Sequence, residues 1–277
     1  MTEFWSSFAR NRAAVFGLVI VVLVIAVALV APFMFDHAPL RMVARPQQWP
    51  FTNPDHILGT DSVGRDIAAM IAFGARNTLL VGSVAAATAL AIGVVVGATA
   101  AYFGGWVDEA LNRVTELFQT VPHVILIMTI IAVLGSEQRN MILGIGLVMW
   151  PQVARLTRAE FLSLRDREFV QACRTMGMGN ARIMFVEILP NALPPIVVLG
   201  SLIVASAILF EAAVSFLGLA DPNVASWGAL IGDGRSLIRT SWYICAIPGL
   251  AIMFTVLALN LVGDGLNDAL NPKLRDR

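Results

Sequence analysis

The chain has 277 residues, of which 57% are hydrophobic and only 14% charged, with a mean hydropathy of +0.76 and a formal net charge of zero. Soluble domains carry about 25% charged residues, so this composition belongs to an integral membrane protein, and the absence of net positive charge speaks against a nucleic-acid partner. The cysteines (Cys173, Cys245) and histidines (His37, His56, His123) stand apart with no redox or metal-ligand spacing, so free thiols, packing histidines and no metal site are expected.

A helix needs about 20 mostly apolar residues to cross a bilayer. Six segments reach that length: residues 13–35, 78–103, 114–134, 141–161, 193–219 and 242–262. The first follows Arg10 and Arg12 and resembles a signal sequence in its flanks. Its apolar run exceeds the roughly 7–15 residues of a signal core, so a retained anchor is expected. In the second, Gly93 and Gly97 form a small-xxx-small pair suited to close helix contact. Arg113 and Glu116, one turn apart at the start of the third, suit a local ion pair rather than a proton relay. The two longer loops on the opposite side, 36–77 and 220–241, hold Trp49 and Trp227, which suit interfacial anchoring or contact with an external partner.

Six crossings put both termini on one side. With the N-terminus inside, twelve of the 19 basic residues fall on inner segments and seven on outer ones, which favours an N-in, C-in arrangement. The margin comes from one stretch, the inner end of the fourth span and the loop that follows it, which holds Arg155, Arg158, Arg165, Arg167, Arg174 and Arg182. Within it, Phe169, Ala172, Cys173 and Met176 fall at i, i+3, i+4 and i+7, one face of a short helix, and Gly177 supplies a C-terminal stop. A second short helix over 183–189 is expected to end at Pro190. By pattern alone this hairpin suits either a groove on another protein or the lipid headgroups.

Glu211 lies inside the fifth span, where an ionisable group must face protein or water. It suits either a place on a solute path, attracting an amino group or cation, or a structural hydrogen bond to a neighbouring helix. Asp264 and Asp268, one turn apart, are expected to solvate the end of the last helix. No catalytic triad, paired carboxylate set or zinc motif is present.

Several stretches resemble one family. Residues 168–177 (Glu168, Phe169, Gln171, Ala172, Cys173, Met176 and Gly177 among them), followed by Leu189 and Pro190, look like the EAA loop of ABC-importer permeases, in particular the C-type permease of the dipeptide/oligopeptide/nickel family. The stretch 56–66, with Gly59, Thr60, Asp61, Gly64, Arg65 and Asp66, is similar to that family's signature after the first span. Phe216, Leu217 and Gly218 with Trp227 and Gly228 resemble its signature after the fifth, and 260–272, with Asp264, its closing tail. The order of these stretches also agrees. One departure is Gln171-Ala172-Cys173 where the family usually has Glu-Ala-Ala.

The resemblance implies an all-α type I ABC importer permease with six transmembrane helices. It implies an anchor helix and external loop over 1–77, a permease core over 78–264 with an ATPase-coupling loop at about 162–190, and a tail over 265–277 in the cytoplasm. It further implies a bacterial inner-membrane location, a homologous B-type permease partner, two ABC ATPase subunits and an extracytoplasmic solute-binding protein, with peptides as cargo. A Walker A loop needs a Gly-Lys-[Ser/Thr] ending, but the sole lysine, Lys273, follows Pro272. ATP and Mg are therefore expected on the partner subunits, with no cofactor in this chain. The competing reading, a self-sufficient secondary transporter or channel, predicts repeated halves, which are not evident.

Overall fold

The computed structural model describes Trp5 and residues 8–270. Among these the chain is all-helical apart from two isolated bridges, Met42 to Arg65 and Thr60 to Asp66. Nine helices follow in order: α1 (Arg12–Met34), α2 (Ile67–Phe103), α3 (Gly105–Thr120), α4 (His123–Leu134), α5 (Gln138–Leu164), α6 (Glu168–Thr175), α7 (Asn180–Leu219), α8 (Trp227–Gly234) and α9 (Tyr243–Leu270).

Four of them, α1, α2, α7 and α9, are long and apolar enough to cross a membrane. The segment expected as a single third span is broken. Helices α3 and α4 meet at 88°, because Pro122 forces Val121 into extended backbone and starts a new helix. As one bent span the pair makes a fifth. The expected fourth span lies within α5, whose 27 residues suffice in length, but Pro151, Gln152, Arg155 and Arg158 dilute its apolar run. By length and composition four spans are evident, or five with the bent pair, and the sixth expected span, within α5, does not reach the same apolar density.

Boundaries shift for physical reasons. Helix α2 begins eleven residues before the expected start at Thr78, because Asp66 caps it by accepting from the Ala68 N–H at 2.9 Å. The expected division at 77/78 therefore falls inside α2, and α9 runs unbroken past 264/265. Pro190 does not stop a helix. The chain is helical from Asn180 to Leu219, with a π turn at Ile183–Ile188 in which the Leu189 N–H donates to Met184 O. That wider register precedes the proline, and Asn191 Nδ2 donates to Glu187 O at 2.7 Å.

The bundle centre is α2 on α5. A Cβ on Gly93 would lie 2.4 Å from Val153 Cβ, and one on Gly97 2.3 Å from Ala154 O, so the two backbones touch where the small-xxx-small pair predicted. Around this seam Ala85, Ala89, Ile145, Met149, Ile203 and Ala207 form the main core. Helix α1 packs on α9, and Asn11 Nδ2 donates to Asp268 Oδ2 at 2.9 Å, which ties the first helix to the end of the last. Chain direction places that contact and α6 at one end of the bundle, with loop 36–66 and α8 at the other.

Candidate functional site

The segment between α5 and α7 is a rigid projection. Arg165 Nη1 donates to Ala101 O at 2.6 Å, Tyr102 Oη donates to Asn180 Oδ1 at 3.0 Å, and the Arg174 guanidinium stacks on the Tyr102 ring at 5.4 Å. Helix α6 ends in a Schellman motif: the Gly177 N–H donates to Arg174 O and the Met178 N–H to Cys173 O. Gly177 has φ +73°, so the stop is made by the residue that tolerates that conformation.

The faces of α6 differ from the expected stripe. Val170 and Cys173 turn inward against Ile183 and Ile188 and are buried. Phe169, Ala172 and Met176 turn outward, Met176 being 66% exposed. Cys173 therefore leaves the candidate docking face and becomes part of the packing beneath it. Glu168 and Gln171 are exposed, and Gln171 Nε2 donates back to Asp166 O at 3.1 Å. Leu189 is half-buried against the inner cluster and Pro190 is exposed.

At the other end, the stretch 56–66 makes a compact cap. Thr60 Oγ1 donates to Arg45 O at 2.6 Å, and Tyr243 Oη donates to Thr60 O at 3.3 Å. Gly59 and Gly64 have φ +78° and +90°, and a Cβ on either would collide with a backbone carbonyl of residues 44–48. Asp61, fully buried, accepts the Val63 and Arg65 N–H groups on Oδ1 and pairs with Arg65 through Oδ2. The same guanidinium reaches Asp233 at the end of α8 with an Nη2–Oδ2 distance of 2.6 Å. Burial works against the Arg65 charge, but the bonds and fields of Asp233 and Asp61 outweigh it and hold its pKa above the ordinary guanidinium value.

Two histidines that the sequence leaves isolated converge here. His56 Nδ1 lies 3.2 Å and His37 Nε2 3.8 Å from the buried Asp66 Oδ2. Among the described residues no group of ligating side chains has the geometry to hold a metal ion.

Glu211 is 1% exposed, and its Oε1 accepts from Ser215 Oγ at 2.9 Å and Ser226 Oγ at 2.7 Å. One bond lies within the end of α7 and the other reaches the N-cap of α8. It clamps the loop before α8 to the end of α7. Oε2 has no hydrogen-bond partner among the described residues and borders a void of about 10 Å³ beside Asn77, Gln138 and Asp221. Trp227 Nε1 donates to Ile71 O at 2.9 Å, and a Cβ on Gly228 would strike Ala212 O at 2.3 Å, so both residues serve the seat of α8. Phe216 and Leu217 lie in the π turn Ser215–Leu219, within which Gly218 departs from helical backbone with φ +90°. Asp264 lies within α9, one turn before Asp268.

One strong contact has no trace in the sequence. Arg158 on α5 grips Asp108 on α3 in two parallel bonds, Nε–Oδ1 and Nη2–Oδ2, each 2.6 Å. The residues are separated by 50 positions with no motif to link them.

Comparison with known proteins agrees with this architecture. Residues 89–276 match the family described as "Binding-protein-dependent transport system inner membrane component", and residues 1–54 match "N-terminal TM domain of oligopeptide transport permease C". The dipeptide transport system permease protein DppC of Escherichia coli K12 is 41% identical over 99% of this chain and 94% of its own length. DppC of Alkalihalophilus pseudofirmus is 37% identical over 99% and 90%, and the glutathione transport system permease protein GsiD of Pectobacterium atrosepticum 35% identical over 99% and 91%. An inward-facing structure of the MetNI methionine ABC transporter superposes with TM-score 0.61 over 73% of this chain and 96% of the matched one, at 19% identity. The apolar helices, the short helix pinned across the end of the bundle and similarity along the whole sequence converge on one assignment: the chain belongs to the binding-protein-dependent transport family, as a multi-pass permease component of an ABC importer in the cytoplasmic membrane.

Proposed function

We propose that this chain forms half of a membrane path for di- or oligopeptides or related small solutes, delivered by an external binding protein and moved by ATP hydrolysed on partner subunits. The observation that carries this reading is the outward stripe of Phe169, Ala172 and Met176 on a short helix fixed to α2 and α7. Such a stripe suits a groove on an ATPase, and similarity to dipeptide permeases along nearly the whole chain supports peptide cargo. A homologous B-type permease completes the path. Two ATPases with bound ATP and Mg sit beneath it, each gripping one loop at 162–190 or its counterpart. Six crossings, the bent α3–α4 pair and α5 included, set both termini in the cytoplasm, where the excess of arginines belongs.

The test is co-expression with the candidate partners, purification and reconstitution. Uptake of a labelled dipeptide should require the binding protein and ATP. If the chain purifies alone and transports in liposomes without ATP, the proposal fails and the secondary-transporter reading takes its place.

A further inference from the structure

Beside Glu211 the end of α7 opens into a cavity of about 340 Å³. Its wall includes Phe216 and Gly218 from the π turn, Asp221 and Val224 from the following loop, and Arg235 just past α8. Small-molecule sites begin at about 300 Å³, so this volume suits a solute of two or three residues rather than a folded ligand.

The charges on this wall are unevenly satisfied. Arg65 and Asp233 also line it and are paired, although Arg65 is shared with buried Asp61, so the three groups together carry one negative charge. Arg235 is not paired: its guanidinium stands 6.0 Å over the Phe216 ring, and among the described residues no carboxylate comes within ion-pair distance. Asp221 accepts the Gln138 N–H on Oδ2 and Asn223 donors on Oδ1, yet it has no cationic partner among the described residues. Asp221 also lines the small void onto which Glu211 Oε2, buried and without a donor among the described residues, abuts. One cavity thus presents an unneutralised cation, an unneutralised anion backed by a buried carboxyl group, and apolar surface from Leu40, Met70 and Phe216.

We infer that this cavity is a transit site for a small zwitterionic peptide, whose ammonium group binds at Asp221 and whose carboxylate binds at Arg235. The inference rests on the peptide reading above and adds a location and two anchors to it. Each anchor is a charge-assisted hydrogen bond, and losing one should weaken binding about tenfold or more. A solute that has lost either terminal charge leaves one wall charge unanswered, which makes the site selective for free peptide ends.

The experiment uses the assembled transporter in nanodiscs without binding protein or ATP, and a dipeptide carrying a benzophenone side chain as photoprobe. Labelling should map to 215–235 and be competed by dialanine, but weakly by N-acetyl-dialanine or dialanine amide. Arg235→Gln should weaken competition by dialanine about tenfold and leave dialanine amide, which has no carboxylate to lose, unchanged. Asp221→Asn should do the same with N-acetyl-dialanine as the indifferent competitor. If Asp221→Asn fails to assemble, the exposed Arg235 decides alone. Labelling outside this segment, or competition by blocked dipeptides equal to that of dialanine, overturns the site. Loss of all peptide uptake by the wild-type complex with its binding protein overturns the peptide reading itself. Normal uptake with labelling indifferent to both substitutions overturns only the cavity.

Discussion

The seam between α2 and α5 yields the sharpest stability prediction. A methyl on Gly97 would sit 2.3 Å from Ala154 O and 2.8 Å from Thr157 Cβ, and one on Gly93 2.4 Å from Val153 Cβ. Ordinary contact between such atoms is about 3.5 Å, so each alanine must push the helices apart by about 1 Å. Overpacking of this kind costs about 1–3 kcal/mol, against which alanine returns just under 1 kcal/mol of helix propensity. Gly97→Ala should therefore lower stability by up to about 2 kcal/mol, and by about 1–3 kcal/mol relative to an unhindered Gly→Ala change. The double substitution should cost less than the sum, because one separation relieves both clashes. Gly249 is the control: it lies inside α9, and a Cβ there meets nothing within 4 Å, so Gly249→Ala should be neutral or slightly stabilising. Unfolding in mixed detergent–SDS micelles, followed by tryptophan fluorescence, gives the four values: each single variant, the double and the control. If Gly97→Ala is as stable as Gly249→Ala, or if the double variant is strictly additive, the picture of two backbones in contact is wrong.

Arg65→Ala strips the partner from a fully buried Asp61 and should cost about 3 kcal/mol, seen as protease sensitivity of loop 36–66. Arg65→Lys should not rescue it, since Nε and Nη2 of one fork serve two carboxylates. Gly177→Ala has open space around its Cβ and should cost only the roughly 1 kcal/mol of a left-handed residue; Gly177→Val should cost more and lower ATPase stimulation by loaded binding protein. Phe169→Ala and Met176→Ala should weaken ATPase retention on copurification with little loss of stability, whereas Cys173→Asp should unfold the projection. Ser226→Ala removes both a bond to Glu211 and the N-cap of α8, and should cost about 1–2 kcal/mol in the same micelle assay.

Much of this architecture was legible in residue order. Apolar length revealed α1, α2, α7 and α9, and the glycine after a short amphipathic run marked the end of α6. Two kinds of information were not. First, α6 has apolar residues on more than one side: Phe169, Ala172 and Met176 make one stripe, Val170 and Cys173 another. Periodicity cannot say which stripe meets the chain's own core until Ile183 and Ile188 are in place. Second, the polar contacts that fix the ends of the bundle join distant positions. Arg65 and Asp233 are 168 residues apart, Arg158 and Asp108 are 50, and neither pair carries a spacing that would announce it. The break at Pro122 was readable, since proline restricts the residue before it, but a run of apolar residues on both sides hid it.

Helix α7 has 40 residues, so it is a shaft about 60 Å long. Its two π turns, at Ile183–Ile188 and Ser215–Leu219, lie close to its extremities, and the stretch between them is α-helix with Pro194 and Pro195 inside it. One extremity carries the exposed Phe169–Met176 face by way of Asn180, and the other supplies the Phe216 wall of the cavity. The two features therefore belong to a single helical segment with a π turn near either end. Because each residue of an α-helix advances the turn by about 100°, removing the extra residue of one π turn would re-aim every side chain beyond it by that angle. The projection that carries α6 and the Phe216 wall of the cavity are thus joined by one continuous helical segment.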